Sequence, residues 1–104
     1  MAYDEALADH VRSALAERAG LSERKMFGGI GFMLNGNMCV GVHGEELIVR
    51  IPPERTDEAL TRPHTRVFDM TGRPMKGWLL VGAAADLNAW IAEAAEYAAS
   101  LPPK

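Results

Sequence analysis

Asn35-Gly36 constrains this chain more than any other pair of residues, because it stands between two apolar runs, Ile30-Gly31-Phe32-Met33-Leu34 before it and Asn37-Met38-Cys39-Val40 after it. Both residues accept the positive φ of a type I′ turn, whose twist matches that of the strands it joins. A β-hairpin follows. His43-Gly44-Glu45-Glu46 then offers a second tight turn into the β-branched run Leu47 to Ile51, so the stretch reads as a three-stranded antiparallel meander.

A two-residue turn pairs Leu34 with Asn37 and carries that register back along both strands. One face then holds Gly29, Gly31, Met33, Met38, Val40 and Val42, joined by Leu47, Val49 and Ile51, and forms the core side. The other holds Ile30, Phe32, Leu34, Cys39, Gly41, His43, Glu46, Ile48 and Arg50. A small antiparallel sheet normally wets its second side, and this one is too apolar in the middle for water. The expectation is a homodimer that buries Ile30, Phe32, Leu34 and Ile48, since two-fold dimers are the commonest cover for such a patch. The competing explanation is a helix of the same chain lying on that face.

The remaining segments supply helices and two more strands. Leu7, Val11, Ala14 and Leu15 recur at helical spacing between about Asp4 and Arg18, and Gly20 follows as a stop. Leu21 to Arg24 reads as a connector, and Lys25-Met26-Phe27 could add a short strand. Pro52-Pro53-Glu54 breaks the sheet and starts a short helix through Leu60. Thr61 to Thr65 is a connection, Arg66 to Met70 a fourth strand, Thr71 to Pro74 a turn and Gly77 to Val81 a fifth strand. From Ala83 to Leu101, Leu87, Trp90, Ile91, Ala94, Ala98 and Leu101 form the stripe of a closing helix, which Pro102-Pro103 stops. Fold class is therefore α+β in two layers, α-β-β-β-α-β-β-α, an antiparallel sheet packed by helices. Its 104 residues make a single domain.

Composition weighs against several classes of function. A net charge of −3 argues against the broad basic footprint expected of a nucleic-acid-binding domain, without excluding a local basic site. No apolar run is long enough to span a bilayer, and Met-Ala-Tyr-Asp-Glu at the start lacks the features of a secretory signal. A lone cysteine fits a reducing compartment, so the expected location is the cytoplasm. Gly28-Gly29-Ile30-Gly31 leads into a strand, with no Lys-Ser/Thr behind it, and so does not form a phosphate loop.

Met26-Phe-Gly-Gly-Ile-Gly-Phe32, Asn35-Gly-Asn-Met38, the strand Leu47 to Arg50, Met75-Lys-Gly-Trp78 and the closing helix together resemble the amino-terminal domain of the TfoX/Sxy competence regulators. The resemblance covers nearly the whole chain. It implies a two-layer α+β fold similar in outline to the secretion-chaperone type, and a regulatory or interaction role exercised without an assigned catalytic activity. It carries over no catalytic residues. Aromatics that often follow the hairpin methionine and fill the third strand in that family are replaced here by Cys39 and Ile48-Val49.

The residue types that could carry chemistry do not converge in sequence. Cys39 and His43 share a strand face but lie roughly 13 Å apart at about 3.3 Å per residue, too far to share a metal or a proton. No Ser-His-Asp, His-Glu-x-x-His or Cys-x-x-Cys pattern is present. Neither a metal nor a cofactor is expected. Thr71-Gly-Arg-Pro-Met-Lys-Gly77 reads either as a solvated turn or as a binding site, where Arg73 can grip a carboxylate or phosphate, Lys76 add a point charge and Trp78 an aromatic wall. Arg50 completes the site if the fold brings its strand beside that of Trp78. The partner is then an acidic segment of another protein. The alternative is a small-anion-binding protein or an enzyme, centred on Arg50, Cys39, Arg73 and Lys76. A local cluster of Arg50, Arg62, Arg66, Arg73 and Lys76 is a third arrangement open to the sequence.

Overall fold

Asp4 opens the first helix, α1 (Glu5–Leu15), by accepting from the backbone N–H groups of Ala6 at 2.9 Å and Leu7 at 3.1 Å, donors that a helix start otherwise leaves unpaired. The computed structural model describes residues 3–26, 28–68, 75–82 and 84–103, with Met26 described by its backbone alone. Six strands follow in one antiparallel sheet: β1 (Leu21–Met26), β2 (Gly29–Leu34), β3 (Asn37–His43), β4 (Glu46–Arg50), β5 (Thr65–Val67) and β6 (Trp78–Val81), ordered β1-β2-β3-β4-β6-β5. A 3-10 turn (Pro53–Arg55) and the short α2 (Thr56–Ala59) link β4 to β5, and α3 (Leu87–Ser100) closes the chain.

This is the expected two-layer α+β order with one strand added in front. Leu21 to Arg24, expected as a connector, pairs with β2 in β1, Glu23 lying opposite Phe32. Its Ser-Glu-Arg-Lys sequence lacks apolar alternation because β1 is a sheet edge, where charge guards against pairing with other chains. The fourth expected strand is shorter than Arg66 to Met70, ending at Val67. Asp69, Met70 and the turn Thr71 to Pro74 lie outside the described residues.

The hairpin turn has the geometry its sequence demands, with φ of 54° at Asn35 and 83° at Gly36. Leu34 pairs with Asn37 and Met33 with Met38, but the register then slips, and Phe32 pairs with Val40 rather than Cys39. Cys39 is the extra residue of a β-bulge, which shifts every pair behind it by one position. The two expected faces are therefore corrected. Ile30, Phe32, Leu34 and Cys39 join Val40, Val42, Leu47, Val49 and Ile51 in the main core, together with Val11 and Leu15 of α1 and Trp90, Ile91 and Ala94 of α3.

The opposite face of the sheet carries Met33, Met38, Ile48 and Leu80, packed with Phe68, Met75 and Trp78. Phe68 is fully buried there. Both faces are thus covered from within the chain. Ile30, Phe32 and Leu34 lie beneath the helices and Ile48 lies on the other side, so the four do not form the shared bare patch expected of a dimer face.

Candidate interaction site

Strand β4 ends at Arg50 because Pro52 and Pro53 follow, and β6 begins at Trp78 because Gly77 bends the chain with φ of 84°. The sheet order makes these two ends neighbours, with Arg50 directly opposite Trp78. The junction is fastened by hydrogen bonds. Ile51 N–H donates to the Gly77 carbonyl at 2.8 Å, Gly77 N–H donates to Thr56 Oγ1 at 2.7 Å, and that hydroxyl donates to the Pro53 carbonyl at 2.7 Å. A Cβ on Gly77 would stand 2.9 Å from the Ile51 carbonyl oxygen, so neither the φ nor the space admits a larger residue. The Met-Lys-Gly-Trp sequence is explained locally by this fastening. Met75 and Trp78 pack inward, Gly77 makes the bend, and Lys76 is left exposed at the tip.

The Arg50 guanidinium carbon lies 5.5 Å from the centroid of the Trp78 ring and 5.7 Å from that of Tyr97 in α3, within the range of cation–π attraction to both. Trp78 is itself held by Phe68, the ring centroids 6.0 Å apart. Among the described residues Arg50 has no carboxylate partner and donates no hydrogen bond. A half-buried guanidinium steered by two rings, with its N–H fork unspent, is suited to grip a carboxylate or phosphate in two-point fashion.

Arg50 and Trp78 are thus brought together, with Lys76 two residues before Trp78 in the chain, whereas Arg73 lies outside the described residues. Cys39 does not join them. It is fully buried in the main core under the helices, and burial pushes its thiol up to about 12, against a small opposing pull from Arg18. A neutral, enclosed thiol is a packing residue, which removes Cys39 from the alternative site. The wider basic cluster is divided as well. Arg62 pairs with Glu58 at 3.0 Å and Glu93 at 2.8 Å, and Arg66 pairs with Glu46. The Arg62 hydrogen bonds hold the Glu58 carboxyl below its ordinary range.

Tyr97 escaped sequence reasoning because it lies at the flank of the apolar stripe. It stands seven residues after Trp90, which returns it to the same side of the helix, and that spacing was the available signal.

A family model described as the TfoX N-terminal domain matches residues 13–100 of the chain. Comparison with curated proteins and with solved structures gives no match.

Proposed function

From the chain's membership of the TfoX N-terminal domain family, which it belongs to over nearly its whole length, we propose that it is a non-catalytic interaction module, a transcription-related accessory protein that works through protein–protein contacts. Its binding centre is Arg50 with Trp78 and Lys76, extended by Arg73, and its partner presents an acidic segment. The observation that carries this reading is the Arg50 guanidinium, without a carboxylate partner among the described residues, held against Trp78 and Tyr97, with exposed Lys76 two residues before Trp78 in the chain. Such contacts are steered by charge and weaken with salt. The module acts in the cytoplasm, in keeping with a single cysteine kept as a free thiol.

A homodimer belongs to this reading through a surface other than the buried Ile30, Phe32 and Leu34. Light scattering that reports twice 11.3 kDa supports it, and an 11.3 kDa species ends it. The binding centre is tested by titrating the protein with a glutamate-rich peptide and, in parallel, with inorganic phosphate. Peptide binding that falls with added salt, and that is lost in the Arg73→Ala, Lys76→Ala double variant at unchanged Tm, is the expected result. Saturation by phosphate alone would make the ligand a small anion. Equal peptide binding by variant and parent would remove this loop from the interaction.

A further inference from the structure

A concavity of about 360 Å³ opens at the amino end of α3, and neither Arg50, Lys76, Trp78 nor Tyr97 is among the residues that line it. Its apolar walls come from Pro63, Ala85, Ala89 and Trp90, and its volume is at the lower end of the range for small-molecule sites. The walls are braced by the backbone: Gly82 N–H donates to the His64 carbonyl at 2.8 Å, and Ala85 N–H to the Gly82 carbonyl at 3.0 Å. His64 itself is held with φ of 64°.

The polar groups of the cavity decide what it can hold. Arg62 packs over the Trp90 ring at 4.5 Å, and its N–H groups are already engaged by Glu58 and Glu93. Arg55 also pairs with the same two carboxylates, at 3.3 and 3.1 Å, so two arginines and two glutamates form a balanced set. Arg62 is therefore a wall of the cavity and not an anion receptor. Asp86 remains as the uncompensated formal charge of the lining. One of its oxygens caps α3 by accepting from Ala89 N–H at 3.2 Å, and the other accepts no hydrogen bond among the described residues. The positive end of the helix offsets part of this charge without reversing it.

We propose that this cavity is a binding site for a small planar cation, an aromatic or heteroaromatic amine or amidine, whose ring lies against Pro63, Ala85, Ala89 and Trp90 and whose N–H groups donate to the free oxygen of Asp86. The site does not depend on the Arg50 interaction. Its test is a titration followed by amide and indole NMR signals, with benzamidine as the cationic probe and benzoate as its anionic counterpart of similar shape. Benzamidine should move the signals of Ala85, Ala89 and the Trp90 indole saturably below about 10 mM, a weak affinity expected of a fragment, while benzoate leaves them unmoved. Asp86→Asn keeps a good helix cap but removes the charge, and it should weaken benzamidine about tenfold with the rest of the spectrum unchanged. Equal response to both probes, no saturable response to benzamidine, or undiminished binding by Asp86→Asn would each overturn the proposal.

Discussion

Replacing Phe32 tests the corrected register directly, since the uniform register expected from the turn would put this ring on a bare face and the bulge puts it in the core. Phe32 is fully buried with Val11, Leu15 and Ile91 in its cluster. Truncation of such a ring to alanine costs about 3–5 kcal/mol, the lost transfer energy plus the cavity left behind. The whole stability of a domain this size is about 5–15 kcal/mol, so most of the reserve goes. With a urea slope of about 1.5 kcal/mol per molar, the midpoint of Phe32→Ala should fall by about 2–3 M. Phe32→Glu adds a buried, unpaired carboxylate worth several kcal/mol more, and should leave the chain without native near-ultraviolet circular dichroism even in buffer. Ser22→Glu, on the exposed side of edge strand β1, is the control and should stay within about 0.5 kcal/mol of the parent. A folded Phe32→Glu protein with a midpoint near that of the control would refute the assignment of this face to the core.

Three further outcomes are expected. The Cys39 thiol titrates near about 8.5 in an unfolded chain and is pushed up to about 12 by burial in the fold. Its contribution is therefore complete below the unfolded value and is lost as pH rises towards the folded one. Stability should drop by up to about 1.4 kcal/mol per pH unit above about pH 9, and Cys39→Ala should flatten that slope; a parent and variant with parallel profiles would contradict it. At pH 8 a disulfide reagent should label Cys39 only as fast as the chain opens, and prompt stoichiometric labelling would show the thiol to be accessible. Thr56→Val deprives the Gly77 N–H of its buried acceptor and should cost about 1–3 kcal/mol in chemical denaturation, whereas a neutral result would mean that the fastening at the Arg50 end of the sheet is not needed for stability.

Much of the fold was legible because its signals are local. Asn35-Gly36 specifies a turn by the φ values it tolerates, and the Leu87 to Ala98 stripe specifies a helix by spacing. What the sequence withheld was non-local. The bulge at Cys39 answers to packing under α1 and α3, and nothing in Met38-Cys39-Val40 distinguishes it from a regular strand. Edge strand β1 hides among charged residues because only one of its sides has a neighbour. For the candidate site, Arg50, Lys76 and Trp78 could be named from residue type, yet the placement of Arg50 opposite Trp78 depends on β6 inserting between β4 and β5. Sheet order of that kind is a property of the whole chain. The cavity beside Trp90 was hidden for the same reason, its walls coming from two segments, 62–64 and 84–90, that are remote in sequence.

The buried Asn37 side chain, which begins β3, donates to the Pro102 carbonyl at 2.9 Å, joining the hairpin to the segment just beyond α3. During synthesis the meander leaves the ribosome long before this contact can form. The strands β2 to β4 have local partners and can pair early, but the face that carries Phe32, Val40 and Val49 has no α3 to lie under it until some forty further residues have been added, a wait of about 2–8 s at ordinary elongation rates. For that interval α1 alone is at hand to pack on that face, and the part that α3 will cover stays open. The guarded charges of β1 are present from the start, so the edge of the growing sheet is protected throughout while its face is covered only in part. A chain stalled before Leu87 should accordingly be a target for holding chaperones, and release past Pro102 should end that dependence.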